Sequence, residues 1–262
     1  MAKNQKQKTE ANLLPGINGV EEVLRHAPAR IKSLYISAVR KNDSRLKQVV
    51  AAGEHQVKSR VLSESEFDEK FDKLSSQGIV AELDGSGQSS FEDILLGLGD
   101  SAKQPFFLLL DQISDVHNLG SLFRLAAAAG LAGLIIPKDN AARVSPAVRR
   151  ISMGATELVP WASVANLSRA IDDLKKSDVW VYGATSHSAL GDRETVSIYQ
   201  SALPTPLALV LGSEEKGIRR LTEKSCDGLV KLPMSGKLES LNVAQAGAAL
   251  VFEILRANGL HN

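Results

Sequence analysis

Three polar segments carry the side chains of this sequence that are best suited to binding or chemistry, and each follows a short apolar run. One segment passes through Ser240 and Asn242 into a helix start, so it offers a hydroxyl, an amide and unpaired backbone N–H groups to a ligand. Another places Arg124 among small neighbours on a helix that Asn118 is placed to cap, which leaves room for a substrate group beside its guanidinium. The remaining segment presents Glu214 in a glycine-bounded turn. These residue types together indicate a binding site.

Each segment also has an ordinary structural interpretation when it is taken alone. Ser240 or Asn242 is of a residue type that commonly caps helices. Arg124 is equally compatible with a surface arginine whose aliphatic stem covers apolar surface. The turn around Glu214 lacks both the Gly-Lys-Ser/Thr ending of a phosphate loop and the GxGxxG pattern of dinucleotide sites. A shared site is favoured because all three segments begin at the carboxyl ends of predicted parallel strands, where ligands bind in such sheets.

Apolar runs alternate with helical stretches from residue 105 onwards. They predict buried strands at 106–110, 134–137, 179–184, 207–211 and 229–232. Helices are predicted between them, near 119–130, 146–153, 166–177, 217–225 and 242–256. Continuous apolar strands that alternate with helices indicate a parallel sheet covered on both faces.

The first part of the chain alternates helices and strands on a smaller scale and predicts a small α/β unit. A Gly- and Ser-rich stretch follows it, which is typical of a linker. The first residues are polar and basic, as in a disordered tail. The predicted organisation is therefore a tail at 1–12, an α/β domain at 13–84, a linker at 85–104 and a larger α/β domain at 105–262.

Composition narrows the class of protein further. The 262 residues carry a net charge of +1, a single cysteine and five scattered histidines, so a disulfide framework and a metal cluster are not expected. No apolar run has the length of a membrane span and no signal segment is evident, which predicts a cytoplasmic protein. Residues 1–60 hold 12 Lys or Arg against 5 Asp or Glu. This excess favours a polyanionic partner, although a solvated charged surface explains it equally well.

The three segments resemble the motifs of the SpoU (TrmH) family of RNA ribose 2′-O-methyltransferases, which use S-adenosylmethionine. The resemblance covers about 105–256 and rests on three motifs in this order. The first is Asn118-Leu119-Gly120 with Arg124, and the second is Leu211-Gly212-Ser213-Glu214 with Gly217. The third is Leu232-Pro233-Met234 with Ser240-Leu241-Asn242-Val243. The N-terminal part resembles the RNA-binding domain of that family, through Gly16-Ile17-Asn18-Gly19-Val20 and Gln77-Gly78-Ile79-Val80-Ala81. Within the family, Met153-Gly154-Ala155 and Arg219-Arg220-Leu221-Thr222 are most similar to bacterial members that methylate a guanosine of 23S rRNA.

The resemblance implies an α/β fold of the SPOUT type, with a C-terminal trefoil knot and a preceding RNA-binding α/β domain. It implies a homodimer, S-adenosylmethionine as cofactor and no metal. The implied catalytic residues are Arg124, Asn118, Glu214, Ser240 and Asn242. The implied cofactor-binding residues are Thr185, Gly212, Leu232, Met234 and Leu241. The RNA-binding candidates in the basic N-terminal domain are Arg40, Lys41, Arg45 and Lys47.

The implied activity is methyl transfer to the ribose 2′-OH of a guanosine in 23S rRNA, free or in a ribosome-assembly intermediate. Because a guanidinium is almost never neutral, Arg124 either stabilises the developing alkoxide or accepts a proton in an unusual local field, and the sequence leaves both open. Two other functions also stay open: the same chemistry on tRNA, and a non-catalytic RNA-binding ribosome-assembly factor.

Overall fold

A computed structural model describes residues 12–53, 55–72, 74–98, 104–186, 195–200, 202–237 and 240–260. The predicted basic tail lies outside these residues except for Asn12. The chain divides into two compact units, the first made of Met1–Gly87 with Arg143–Leu158 and the second of Gln88–Ala142 with Val159–Asn262. The division after Gly87 falls inside the predicted linker. The segment Arg143–Leu158, by contrast, lies within the predicted domain at 105–262 and packs with the first unit.

Strands and helices alternate along both units. The strands are β1 (Leu13–Pro15), β2 (Ile31–Ser37), β3 (Lys58–Leu62), β4 (Ile79–Leu83), β5 (Phe106–Asp111), β6 (Gly133–Pro137), β7 (Trp161–Val164), β8 (Trp180–Thr185), β9 (Thr195–Ser197), β10 (Leu207–Gly212) and β11 (Gly228–Lys231). The α-helices are α1 (Ile17–His26), α2 (Ser44–Gly53), α3 (Glu64–Phe71), α4 (Phe91–Leu96), α5 (Val116–Ala128), α6 (Pro146–Ile151), α7 (Leu167–Lys176), α8 (Arg220–Ser225) and α9 (Val243–Ala257).

The first unit is built on a four-stranded sheet in the order β1-β4-β2-β3. Helix α1 buries Ile17, Val20 and Leu24 in a core with apolar residues of β2 and β4, because these positions share one helical face. Helix α3 starts at a capping box formed by Ser63 and Glu66. The predicted alternation of helices and strands is present in this unit, and it begins with the short strand β1, which is antiparallel to β4.

A buried ion cluster holds the segment Arg143–Leu158 within the first unit. The Glu157 side chain is fully buried, and one of its oxygens accepts hydrogen bonds from Arg30 Nε (3.1 Å) and Nη2 (2.9 Å). Its other oxygen pairs with the buried Arg149, whose Nη2 also donates to the Ser86 carbonyl at 2.8 Å. Burial, with a further contribution from Arg30, lowers the pKa of Arg149 to about 10. Because a buried charge without its partner is costly, this cluster is a structural anchor.

The second unit contains a seven-stranded sheet in the order β7-β6-β5-β10-β8-β11-β9, and every neighbouring pair is parallel. This confirms the predicted parallel α/β sheet. Helix α7 packs on one face through Ile171 and Leu174, and α9 packs against α5 and β10. The edge strands β7 and β9 were not predicted from the sequence.

The order of the strands determines which loops meet. Strand β10 lies between β5 and β8, with Gly212 in register with Asp111, while Lys231 of β11 is in register with Thr185 of β8. The loops that follow β5, β8, β10 and β11 therefore leave the sheet at one edge. These loops contain the sequence motifs that predict a site.

Candidate active site

Side chains from all three motifs meet in one hydrogen-bond network. Oε1 of Glu214 accepts hydrogen bonds from Asn118 Nδ2 (3.0 Å), Asn242 Nδ2 (2.6 Å) and the Val243 backbone N–H (3.1 Å). The Asn242 amide also donates to Asn118 Oδ1 at 2.8 Å. The loops after β5, β10 and β11 are thus joined through one carboxylate. Three of the five predicted catalytic residues form this network.

Asn242 is both a helix cap and a network member. Its Oδ1 accepts from the backbone N–H groups of Ala244 (3.0 Å) and Gln245 (3.4 Å), which caps α9. Its Nδ2 points the other way, to Glu214. The two interpretations offered by the sequence, a cap and a site residue, therefore apply to the same side chain.

The cap of α5 differs from the expectation. The sequence suggested Asn118 as the capping residue, but Asp115 Oδ1 accepts from the N–H groups of His117 (2.6 Å) and Asn118 (2.9 Å). Asn118 lies in the first turn of the helix instead. Its side chain is therefore available to bond with Glu214.

The turn after β10 presents Glu214, and Gly212 is required for its shape. Ser213 and Gly217 exchange backbone hydrogen bonds of 3.1 and 2.8 Å across the turn. A Cβ on Gly212 would lie 2.1 Å from the Gly217 carbonyl carbon and 2.2 Å from the Ile218 nitrogen. The space beside the Gly212 Cα is therefore occupied by the backbone of the chain itself.

An ion pair between the buried Asp111 carboxylate and the partly exposed Arg219 anchors the same turn to the end of β5. Asp111 is completely buried and accepts hydrogen bonds from the Arg219 backbone N–H (2.8 Å) and from Arg219 Nε (2.8 Å). Sequence reasoning did not assign this pair a role. The available signal was a carboxylate at the end of an otherwise apolar strand, since such a charge is rarely buried without a partner.

A large pocket lies beside the network on the side of β8 and β11, with a volume of about 1310 Å³. We call it the inner pocket. Its lining includes all five predicted cofactor-binding residues: Thr185, Gly212, Leu232, Met234 and Leu241. The predicted catalytic residue Ser240 lines it as well. Residues 187–194, which follow Thr185, lie outside the described residues.

A second pocket of about 620 Å³, the outer pocket, lies on the other side of the turn that carries Glu214. Its lining includes Asn118 and Glu214 of the network, and Gln112 and Asn140, which the sequence did not single out. Both of these residues have a left-handed backbone, with φ of 62° and 56°. Gln112 and the turn 213–216 line both pockets and form the wall between them.

Arg124 lies apart from this assembly. It is exposed on α5 with Ser121 and Ala128, on the helix face opposite the buried Leu122 and Phe123. It lines neither pocket. Among the described residues it has no hydrogen-bond or ion-pair partner. The structure therefore places Asn118, Glu214 and Ser240 in the pocket linings of one chain, with Asn242 hydrogen-bonded to Glu214, but it does not bring Arg124 there.

The four RNA-binding candidates lie together in the first unit, all of them exposed, in the turn after β2 and in α2. Arg40 pairs with Asp43 at 2.6 Å, and Arg45 pairs with Glu21. Lys41 and Lys47 have no ion-pair partner in the part of the chain that the structure describes. This cluster thus keeps free cationic groups.

Neither a metal-binding group nor a membrane-spanning helix is found among the described residues. No group of three or more His, Cys, Asp or Glu side chains is placed to hold a metal ion within those residues. None of the described helices is both long and apolar enough to span a membrane.

Comparison with known proteins places these features in a family. Residues 105–252 match the model of the SpoU rRNA Methylase family, and residues 13–88 match the model for RNA 2′-O ribose methyltransferase substrate binding. The chain is 39% identical over 245 residues to the 23S rRNA (guanosine-2′-O-)-methyltransferase RlmB of Pseudomonas syringae, covering 92% of this chain and 94% of that protein.

Solved structures show the same fold. A TrmH-family RNA methyltransferase from Porphyromonas gingivalis, described as putative, matches with a TM-score of 0.70 and 25% identity over 98% of both chains. The SpoU methyltransferase AviRb of Streptomyces viridochromogenes in complex with AdoMet matches with a TM-score of 0.76 and 19% identity over 100% of both chains. With two family models covering most of its length and a relative this similar, the chain belongs to the SpoU rRNA methylase family.

Proposed function

We propose that this protein transfers a methyl group from S-adenosylmethionine to the ribose 2′-OH of a guanosine in 23S rRNA. The observation that carries the proposal is the Asn118–Glu214–Asn242 network, which joins the three family motifs at the wall between the two pockets. The substrate is taken from relatives that are named for this reaction and align with more than nine-tenths of the chain.

The inner pocket fits the proposed cofactor. Its lining combines apolar side chains for a flat aromatic ring, such as Leu232, Met234 and Leu241, with polar groups for a ribose and charged substituents, such as Thr185 and Ser240. When bound, S-adenosylmethionine supplies an electrophilic methyl group on a sulfonium. The residues of the chain then have to hold the accepting ribose in line, so positioning dominates their contribution.

The position of Arg124 supports a homodimer. Its guanidinium is exposed on α5 and lines neither pocket of its own chain. Phe252 of α9 is 48% exposed, and Ala249 of the same helix is also exposed. We infer that these helix faces meet a second copy and that Arg124 enters the site of the partner subunit, where it stabilises the developing alkoxide.

The remaining predictions belong to the same proposal. The first unit, with Arg40, Lys41, Arg45 and Lys47, binds RNA through its phosphates. The domain at 105–262 carries a trefoil knot at its C-terminal end; the placement of β10 between β5 and β8 supports this threading. The protein acts in the cytoplasm, on 23S rRNA or on a ribosome-assembly intermediate.

The test compares Arg124→Ala with Arg169→Ala, a matched control in the same unit that changes an exposed arginine of α7. Methyl transfer to 23S rRNA is measured with labelled S-adenosylmethionine, and cofactor binding is measured by calorimetry. We expect Arg124→Ala to lower transfer by about 100-fold or more, as for the loss of one group that stabilises an oxyanion. The cofactor affinity of Arg124→Ala should equal that of the wild type, and Arg169→Ala should keep both normal transfer and normal cofactor affinity. Near-normal transfer by folded Arg124→Ala would reject the proposed site.

A further inference from the structure

The outer pocket has a lining that the chemistry of the cofactor does not require. Besides the network it contains the amide of Asn140 and the carboxylate of Asp115, which line this pocket alone. Gln112, Glu215 and Lys216 line it as well and form part of the wall shared with the inner pocket. Its volume of about 620 Å³ lies within the range of about 300–1,000 Å³ that is usual for small-molecule sites. A lining of amides and carboxylates matches a ligand that both donates and accepts hydrogen bonds, as a nucleobase does.

The backbone supports a binding role for this pocket. Gln112 and Asn140 are both non-glycine residues in the left-handed region. Asparagine adopts this region readily, whereas for Gln112 it costs energy, and such residues are concentrated at functional sites. The loops that carry them are joined by a hydrogen bond of 2.8 Å from the Ala142 N–H to the Ile113 carbonyl. Their side chains make no hydrogen bond to another described residue, so both amides are free to bind a ligand.

The carboxylates of the pocket differ in what they already bind. Asp115 Oδ1 is used by two backbone N–H groups at the start of α5. Glu214 Oε1 is used by three donors in the network. Glu215 has no hydrogen-bond or ion-pair partner among the described residues. It is therefore the carboxylate available to a ligand.

Guanine is the base that such a carboxylate selects. Its Watson–Crick edge presents two adjacent donors, N1–H and the 2-amino group, which one carboxylate can accept together. Adenine presents an unprotonated ring nitrogen at the corresponding position, which a carboxylate repels. A base that is splayed out of an RNA stack is commonly recognised through this edge.

We propose that the outer pocket binds the acceptor guanosine of the RNA, and that Glu215 selects guanine by accepting from its N1–H and 2-amino group. Gln112 and Asn140 supply amide donors to the acceptor atoms of the base, and Lys216 supplies a cation for the phosphate. The proposal rests on the proposed methyltransferase function, because it assigns the substrate to the pocket next to the cofactor pocket.

The experiment uses the full-length protein and two transcripts of a 23S rRNA fragment, with either guanosine or inosine at the mapped acceptor position. Inosine lacks the 2-amino group and so removes one of the two donors to Glu215. We expect the wild type to prefer guanosine by about 10-fold in kcat/KM, in the range of one good base contact. Glu215→Gln should methylate guanosine about 10-fold more slowly and lose this preference. Asp172→Asn, an exposed carboxylate of α7, is the matched control.

The outcomes separate the two proposals. No methylation by the wild type on either transcript would refute the methyltransferase function. Equal methylation of both transcripts by the wild type, or an unchanged guanosine preference in Glu215→Gln, would overturn the assignment of the outer pocket alone. Weaker cofactor binding by Glu215→Gln with the preference intact would also overturn it, because Glu215 would then act on the cofactor and not on the acceptor base.

Discussion

Replacing Glu214 by alanine should separate the activity of this protein from its stability. The change removes the oxygen on which three hydrogen bonds converge, at 2.6, 3.0 and 3.1 Å. Hydrogen bonds to a charged group contribute about 1.5–3 kcal/mol when they are buried. Glu214 is exposed, so we expect about 0.5 kcal/mol for each, and a total loss of about 1.5 kcal/mol. The protein stays folded, since domains have about 5–15 kcal/mol of stability.

The loss of activity should be much larger than that loss of stability implies. Asn118 and Asn242 lose their common acceptor, so the segments after β5 and β11 lose their side-chain hydrogen bonds to the turn after β10. A displacement of about 1 Å at a reacting centre can lower a rate by about 100-fold. We therefore expect methyl transfer to fall about 100-fold in Glu214→Ala and about 10-fold in Glu214→Gln, which keeps an acceptor oxygen without the charge.

The assay pairs urea unfolding with single-turnover methyl transfer to 23S rRNA. Asp172→Ala is the control, an exposed carboxylate of α7 that lines neither pocket. A double-mutant cycle between Glu214→Ala and Asn242→Ala should show coupling of about 1 kcal/mol, because the two residues share a bond. Full activity in Glu214→Ala, or additive effects in the cycle, would refute the view that the network organises the site.

Three further changes have distinct expected outcomes. Asn242→Asp keeps an oxygen to cap α9, so its unfolding free energy should change by less than about 1 kcal/mol. It also places a second carboxylate beside Glu214, so methyl transfer should fall about 100-fold. Equal methyl-transfer activity of the variant and the wild type would contradict this. Gly212→Ala forces the turn 213–217 to move, because its Cβ would lie 2.1 Å from the Gly217 carbonyl carbon, and calorimetry should show cofactor affinity reduced by more than about 10-fold. Glu157→Gln leaves Arg149 buried without its counter-charge and should destabilise the first unit by about 3–5 kcal/mol in urea unfolding, whereas Glu92→Gln, on the exposed surface of α4, should have no effect.

The sequence predicted the elements whose signal is long and unambiguous. Strand β10 was predicted because a continuous run of six apolar or small residues is typical of a strand that is buried on both faces of a parallel sheet. The edge strands β7 and β9 were missed because each is short and includes serine or threonine, so neither shows the continuous apolar run that indicated the other strands. The cap of α5 was misassigned because Asp115 and Asn118 are both good capping residues, and only the backbone decides which of them caps.

The candidate site was predicted in its residues but not in its contacts. Asn118, Glu214 and Asn242 are separated by 96 and 28 positions, so their meeting depends on the placement of β10 between β5 and β8. The outer pocket could not be predicted, because Gln112 and Asn140 are ordinary loop residues until their backbone conformation is known. The spacing of Arg124 in the sequence likewise did not predict that it lines neither pocket of its own chain.

The most direct test of the proposed activity is a map of ribose methylation in the RNA of a strain that lacks this gene. We expect one guanosine of 23S rRNA to lose its 2′-O-methyl group, and tRNA to be unaffected. The wild-type gene should restore the methylation and the Arg124→Ala variant should not. An unchanged 23S rRNA map, or a loss that is confined to tRNA, would contradict the account.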